Sequence, residues 1–330
     1  MKKQTSHHSI AEKLNIYTSL HLYKILFSLL ITYTLFSLAG CSYSTIYTAS
    51  PIEIDTIPFN LPTGVVTDSE ENLYILDSGT HQVLKFNKNG NFLLAWGGEG
   101  SADGQILCYE EKGTICGLAI DSQDNIYVVD KGNYRIQKFD STGNFLLAWG
   151  SQGIEDGQFI RPIYAAVGPQ GNIFVSDDVN PVIQKFDGSG QFLLKWGELG
   201  KGNGQFRHAT GIAVDSLGNV YISDYENRII QKFDSNGEFL ASWKTGSSRN
   251  NGTPEAIAID DQDRIYVTDS KLKQIIIFDS SGETLTTIPL DSVGFFNRIS
   301  PYGIAIDRTG DIYVTDRDNN RVLKYSQPDW

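Results

Sequence analysis

Histidines and cysteines are few in this chain, and their spacing argues against a shared reaction centre. Only two histidines, His81 and His208, follow residue 50. A zinc site built from protein nitrogen and sulfur needs three or four ligands, and the three cysteines include no Cys-x-x-Cys pair. The sequence therefore predicts no metal site and no cofactor.

Aspartates are numerous enough to suggest calcium binding or paired acid–base catalysis, but they recur regularly. Four of them each follow a short apolar run: Asp121, Asp215, Asp260 and Asp307. A side chain that returns once per repeat is more naturally structural, because aspartate accepts hydrogen bonds from the backbone amides of a turn. We interpret these carboxylates as turn residues and predict no catalytic residue among them.

The first forty residues have the composition of an export signal. A lysine precedes the apolar run Ile25 to Ala39, which ends in Leu38-Ala39-Gly40-Cys41. A basic flank, a short apolar segment and small residues before a cleavage point are the parts of a secretory signal, and the last four residues resemble the bacterial lipobox. The resemblance implies that residues 1–40 are removed, that Cys41 carries a lipid such as palmitate, and that residues 41–50 are a short tether.

An uncleaved signal anchor is the alternative, because Leu22 to Ala39 is nearly long enough to span a bilayer. An aspartate directly after the lipidated cysteine is associated with retention in the inner membrane. This chain has Ser42 at that position. The absence of the aspartate slightly favours the outer membrane in a bacterium with two membranes. In both interpretations we expect an exported, membrane-held protein of the bacterial cell envelope.

Lipid on Cys41 would leave Cys108 and Cys116 as a pair, and an exported protein can keep a disulfide. The two cysteines flank an insertion: Gly104 to Gly117 spans 13 residues, whereas the equivalent Gly204 to Gly211 spans 7. We expect the disulfide to pin a protruding acidic loop that acts as a recognition element or a lid.

The charge of the chain argues against nucleic acid. The formal net charge is −12, and residues 1–40 contain four lysines and one glutamate, so the remainder carries −15 from 23 basic and 38 acidic residues. Nucleic-acid binders owe much of their affinity to the neutralisation of phosphates and usually show a basic footprint. We therefore expect no nucleic-acid partner.

Six repeats organise the rest of the sequence. Their common pattern is an apolar Gly-Ile-Ala-Val-Asp run, an alternating run that ends in aspartate, an Arg-Ile-Gln-Lys-Phe-Asp run and a Phe-Leu-Leu-Ala-Trp run. The aspartates that end the second run, here called the marker aspartates, lie 45 to 53 residues apart: Asp77, Asp130, Asp177, Asp224, Asp269 and Asp316. Four antiparallel strands in each repeat of this length predict an all-β, six-bladed β-propeller.

The ends of the repeat region predict how the ring closes. The sixth unit lacks an outer strand, and a spare strand-like segment, Ile52 to Ile57, precedes the first unit. We expect this N-terminal strand to complete the last blade, so that no sheet edge is left open. The propeller would then cover residues 51–326 as a monomer, with a tail at 327–330.

The repeats resemble NHL repeats over about residues 51–326. The resemblance rests on Gly211-Ile212-Ala213-Val214-Asp215, Gly218-Asn219-Val220-Tyr221 and Asn227-Arg228-Ile229. Unit three departs most, with Ala165 to Gly168, and unit five has Lys273-Gln274 in place of Asn-Arg. Known relatives of this kind include RNA- and protein-binding domains, a zinc-dependent amidating lyase and extracytoplasmic sensor domains. The lyase relatives place several histidines around a central zinc, whereas the repeats of this chain contain only His81 and His208.

Non-repeated residues are better candidates for function, because the blade does not require them. In a propeller, the loops leading into the inner strands and those joining the second and third strands share one face. That face would collect Lys131, Tyr134, Arg161, Tyr164, Arg207, His208, Tyr225, Glu255, Arg298, Tyr302 and Arg317. Arginine and tyrosine are frequent anchors in recognition surfaces, although an ordinary polar loop surface would also account for them.

The sequence is compatible with two functions. The first is a non-catalytic binding or scaffold module that recognises a protein, peptide or glycan in the envelope. The second is a lyase or hydrolase with its site at the central channel, which would require a metal or polar side chains there. The absence of an evident catalytic constellation favours the binding module.

Overall fold

A computed structural model of the chain describes residues 48–51, 58–108, 115–247, 250–290 and 299–326, with only the backbone at 48–51, 247 and 250. The predicted signal at 1–40, Cys41, most of the tether, the 327–330 tail, the 109–114 loop tip and Arg298 lie outside these residues. Among the described residues there is no helix long and apolar enough to cross a membrane.

Six four-stranded antiparallel sheets form the six predicted blades, which confirms the all-β propeller. From inner to outer strand, blade 1 contains Pro62–Thr67, Leu73–Asp77, Gln82–Phe86 and Phe92–Gly97; blade 2 contains Leu118–Ile120, Ile126–Asp130, Arg135–Phe139 and Phe145–Trp149; blade 3 contains Pro162–Val167, Ile173–Asp177, Val182–Phe186 and Phe192–Trp196. Blade 4 contains Ala209–Val214, Val220–Asp224, Ile229–Phe233 and Phe239–Lys244; blade 5 contains Pro254–Ile259, Ile265–Asp269, Gln274–Phe278 and Thr284–Pro289; blade 6 contains Pro301–Ile306, Ile312–Asp316, Arg321–Ser326 and Thr48–Pro51.

The inner strands of successive blades contact one another around a closed ring, and blade 6 contacts blade 1. The chain's burial pattern follows this ring. Each second strand is buried along its whole length, because neighbouring blades cover both of its faces. The outer strand alternates between half-buried and exposed residues, as in Phe239–Lys244, because only one of its faces packs on a blade.

Blade 6 takes its outer strand from the N-terminal side of the repeats. Thr48–Pro51 pairs antiparallel with Arg321–Ser326, with Ala49 opposite Tyr325. Residues 48–50, assigned to the tether from the sequence, are part of this strand. The predicted closing strand at 52–57 lies outside the described residues, so closure through that segment stays a prediction.

The turn aspartates act as the repeat pattern predicted. Asp215 accepts hydrogen bonds from the amides of Leu217 and Asn219 and from the Tyr221 hydroxyl at 2.9 Å. Blade 3 has Gly168 at the aspartate position and Phe174 at the tyrosine position. The carboxylate acceptor and the hydroxyl donor are thus lost together, which avoids leaving a buried polar group without a partner.

Tryptophans fill the spaces between blades. Trp243 lies edge-on to Tyr221 of its own blade and tilted against Phe278 of the next, with ring centroids 6.1 and 6.0 Å apart. Trp96, Trp149 and Trp196 are placed in the same way. Each tryptophan also faces a glycine turn of the following blade. A Cβ on Gly282 would lie 2.5 Å from Trp243 Cδ2.

Cys108 and Cys116 form a disulfide with their Cα atoms 6.3 Å apart. Both cysteines are fully buried, and the amide of Cys108 donates to Nδ1 of His81 at 3.0 Å. His81, which belongs to blade 1, therefore holds the start of the loop that the disulfide closes. The lid or recognition role of the loop between the cysteines stays a prediction.

Candidate functional site

The marker aspartates organise one end of the propeller. Asp224 accepts hydrogen bonds from the amides of Arg207 and His208, in the loop that leads into the inner strand, at 3.0 and 3.2 Å. It also accepts from the amide of Asn227, in the loop after its own strand. The equivalent carboxylate of blade 3 binds the amides of Ile160 and Arg161. A buried acceptor thus holds the two kinds of loop together in these blades.

The residue after each marker aspartate lies in the loop that joins the second and third strands of its blade. These six residues, which we call the axial ring, are Ser78, Lys131, Asp178, Tyr225, Ser270 and Arg317. The position is equivalent in every blade, yet the residue types differ. Lys131, Asp178 and Arg317 are buried although they are charged. Such burial is unusual for charged side chains unless they have partners.

Tyr164 crosses the axis of the propeller beneath the axial ring. It stands on the inner strand of blade 3, where the other blades have glycine or alanine, and its hydroxyl donates a short hydrogen bond to the backbone oxygen of Tyr302 in blade 6. Blades 3 and 6 are opposite one another in a six-membered ring. The side chain therefore divides the mouth from a cavity of about 220 Å³ that is lined by the apolar inner strands.

Asp178 joins two of the predicted residues. Its carboxylate forms a close ion pair with Nε of Arg161 and accepts from Nε2 of His208 at 2.9 Å. Burial by itself would raise the pKa of Asp178, but the hydrogen bonds from His208 and Arg161 bring it below its ordinary value. The imidazole of His208 also lies edge-on to Tyr225, with centroids 5.5 Å apart.

Lys131 is the cation at this face whose pKa is shifted most. The residue begins the 3₁₀ turn Lys131–Asn133 and is 7% exposed. Burial lowers the pKa of Lys131 from 10.5 to about 8; attraction to Asp178 opposes this shift, and repulsion by Arg161 and Arg317 adds to it. Among the described residues, no hydrogen bond or ion pair reaches the ammonium group.

Arg317 holds the equivalent position in blade 6. It is 4% exposed, and its guanidinium lies 5.0 Å from the centroid of the Tyr302 ring. The nearest ion pair is long, at 4.0 Å to the exposed carboxylate of Asp318. Its Nε is buried and has no hydrogen-bond partner within the part of the chain that the structure describes.

Glu255 is a buried carboxyl group on the inner strand of blade 5. Burial raises the pKa of Glu255 from 4.5 to about 7, although a hydrogen bond donated by Ser270 and the nearby His208 oppose the rise. Its charge also contributes to the raised pKa of Tyr164 and of Tyr302, which burial causes in the first place. A carboxyl group that titrates near neutral pH is able to give or take a proton.

Most of the residues predicted for this face are close to one another in the structure. Lys131, Arg161, Tyr164, His208, Tyr225, Glu255, Tyr302 and Arg317 are linked by the contacts and electrostatic interactions given above. Arg207 is on the outer rim and pairs with Glu226 at 3.3 Å. Tyr134 ends the 3₁₀ turn at φ 57°, where its amide donates to the backbone oxygen of Lys131 at 3.2 Å, and no side-chain contact described for the chain joins it to the group.

Asp178 belongs to the site but was not predicted from the sequence. The available signal was its position, because it follows a marker aspartate just as Lys131, Tyr225 and Arg317 do. Within the described ranges, no cluster of three or more histidine, cysteine, aspartate or glutamate side chains is placed to hold a metal ion.

Comparisons with known proteins agree with this architecture. The NHL repeat model matches residues 59–86, 117–139, 206–233 and 300–325, which belong to blades 1, 2, 4 and 6. Blades 3 and 5 are the two whose sequences depart from the pattern. No curated protein matches the sequence. The chain is thus a six-bladed β-propeller in which four blades match the NHL repeat.

Several solved structures share the fold at low identity. A streptogramin B lyase is 12% identical with a TM-score of 0.63, and the match covers 87% of this chain and 100% of that one. A catalytically inactive virginiamycin B lyase from Staphylococcus aureus, solved with quinupristin, is 13% identical with a TM-score of 0.61, and the match covers 86% of this chain and 100% of that one. A gluconolactonase from Xanthomonas campestris is 15% identical with a TM-score of 0.62, and the match covers 86% of this chain and 90% of that one. Identities this low establish a common fold and no more.

Proposed function

We propose that this protein is an envelope-tethered binding module that receives a protein or peptide partner at its axial ring. The observation that carries the proposal is the gathering of non-repeated charged and aromatic residues at one face. Lys131, Arg161, His208 and Arg317 come from four different blades, and none is required by the repeat. The predicted lipid on Cys41 would keep this face in the envelope, and a glycan remains the other partner chemistry.

The shape of the face supports recognition. Tyr164 reaches the opposite blade below the axial ring, so the mouth has a floor at this side chain, and we call the space above it the bowl. Tyr225 stands at its wall and is 36% exposed, which offers an aromatic anchor to a partner. The ion pair of Asp178 with Arg161 and its hydrogen bond with His208 hold these two side chains in place before a partner arrives, which reduces the entropy lost on binding.

Site-specific photocrosslinking in cells would test this proposal. A photoreactive phenylalanine in place of Tyr225 samples the bowl, and the same group in place of Leu217 samples the opposite face, where this residue is 80% exposed in a turn between strands. We expect one defined crosslinked partner from position 225 and none from position 217. That partner, once purified, should bind the native propeller and lose affinity for a Tyr225→Ala variant.

The same crosslinks at both positions, or purified partner that binds the Tyr225→Ala variant as tightly as native protein, would contradict the proposal. Crosslinks to polysaccharide in place of protein would assign the bowl to a glycan. Leu217→Ala is the matched control for the affinity measurement.

An enzyme working at the same bowl is the second candidate, and Glu255 is the observation in its favour. Its carboxyl group titrates near pH 7 beside His208, as a general acid or base requires. The fold's neighbours include lyases and a gluconolactonase. Purified native protein and a Glu255→Gln variant, assayed against lactone and cyclic ester substrates, would decide: turnover that Glu255→Gln abolishes supports catalysis, and turnover that survives excludes this role.

A further inference from the structure

Two buried cations of the axial ring are poorly paired among the described residues: Lys131 has no anionic partner, and Arg317 has only a long ion pair with the exposed Asp318. Lys131 and Arg317 are 7% and 4% exposed, at the same position of blades 2 and 6. Buried ammonium and guanidinium groups are usually paired with carboxylates or other acceptors. Within the same part of the chain, Lys131 Nζ has neither hydrogen bond nor ion pair, and Arg317 Nε has no acceptor.

The carboxylates nearby are already engaged. Asp178 is shared by Arg161 and His208. Asp177 accepts backbone amides, and Asp318 is an exposed group 4.0 Å from Arg317. Glu255 is held partly protonated by burial near neutral pH. These carboxylates therefore already have donors of their own, whereas among the described residues Lys131 Nζ and Arg317 Nε have no acceptor.

We propose that the bowl is an anion site in which Lys131 and Arg317 bind a carboxylate or phosphate group of the ligand. The proposal rests on the proposed function, because it assigns chemistry to the same face. A bound anion would complete the pairing that the described residues leave unmade, and Tyr164 would limit how far its group enters. Charged hydrogen bonds of this kind are among the stronger ones in proteins.

Calorimetric titration at low ionic strength with matched probes would test the anion site. N-acetyl-alanine is compared with its N-methylamide, glucuronate with glucose, and inorganic phosphate is measured alone. We expect the anionic member of a pair, or phosphate, to bind and the neutral member not to. The peptide-like, sugar-like and phosphate arms identify which source of the charge the bowl accepts.

Substitutions test whether the probe binds at the two cations or elsewhere on the surface. Lys131→Met and Arg317→Met should each weaken binding of the same probe by at least about tenfold, the loss expected for one charged hydrogen bond. Lys271→Met, an exposed lysine in the equivalent loop of blade 5, is the matched control and should bind normally. Circular dichroism and thermal melting verify that each variant is folded.

A second measurement uses the native protein alone. Lys131 reacts with an acylating reagent through its neutral amine, so labelling measured by mass spectrometry should fall several-fold when the probe is present, whereas Lys271 labels at the same rate. Anionic and neutral probes that bind alike, or labelling of Lys131 that no anion slows, would overturn the proposal. If the anions fail but photocrosslinking at position 225 still captures a partner, the binding function stands and only the anion site is rejected.

Discussion

Single buried ionisable groups set the chemical character of the bowl. Glu255 and Lys131 are two groups there whose pKa values burial moves toward 7 from opposite sides. The two groups therefore make the stability of the folded protein depend on pH in opposite directions. Perturbed pKa values of this kind are frequent at functional sites, although structural networks also produce them.

We predict that Glu255→Gln stabilises the protein above neutral pH. The folded state holds the proton of Glu255 up to about pH 7, whereas the unfolded chain releases it near 4.5. The carboxyl group therefore costs stability increasingly as the pH rises through that window, up to about 3 kcal/mol. Urea unfolding at pH 4.5 and pH 8 measures the difference.

The expected result is near-equal stability at pH 4.5 and a clear gain for Glu255→Gln at pH 8. Asp77, whose pKa burial raises to about 6, titrates in both proteins and cancels in the comparison. Glu226→Gln, on the exposed rim, is the control and should show no gain. A gain that is the same at both pH values would mean that the glutamate charge is not the cause.

Lys131→Met should likewise stabilise the protein near pH 7. The pKa of Lys131 is about 8 in the folded state against 10.5 unfolded, so the ammonium costs stability below pH 8 and the cost disappears as the pH rises to about 10.5. We expect a gain of up to about 3 kcal/mol at pH 7, measured by urea unfolding. A loss of stability at pH 7 would show that the ammonium group has a stabilising partner.

At the scale of strands and turns, the contact between a glycine turn and the tryptophan of the preceding blade governs how blades join. Gly282 and Gly171 both have positive φ, at 88° and 77°, so alanine strains the backbone at either position. Only at Gly282 would the new methyl group meet Trp243, at 2.5 Å, since nothing lies within 4 Å of a Cβ at Gly171.

Gly282→Ala should therefore destabilise the protein more than Gly171→Ala does. Backbone strain in the left-handed region costs about 1–2 kcal/mol in both variants, and displacement of the packed indole adds about 1–3 kcal/mol at Gly282 alone. Urea unfolding monitored by tryptophan fluorescence measures both effects. Equal losses would show that Trp243 can move aside without cost.

For the whole molecule, ring closure and tethering are the two features with consequences beyond a single blade. Without Thr48–Pro51, blade 6 would have three strands and an open edge along Arg321–Ser326. Chains that begin at residue 45 and at residue 58 can be compared by thermal melting. We expect the shorter chain to melt at a lower temperature, and equal melting temperatures would rule out a stabilising role for the strand.

Lipid attachment is predicted at Cys41. In cells given labelled palmitate, the native protein should incorporate label and Cys41→Ala should not, because the lipid is added to the thiol. Membrane fractionation of the same cells gives a second readout. Labelling of both proteins would exclude Cys41 as the lipid site, and a membrane-bound but unlabelled native protein would support the signal-anchor alternative.

The repeat pattern by itself determined the six blades, the turn aspartates and the tryptophans between blades, because each depends on contacts that recur from one unit to another. It also indicated which loops share a face. Only the tertiary structure decided that Tyr164 spans the axis, that Asp178 holds Arg161 and His208, and that the Lys131 side chain is buried with no hydrogen bond or ion pair to its ammonium group among the described residues. Those facts depend on which residues meet across a closed ring, between positions up to 138 apart in sequence, and local periodicity carries no information about such distances.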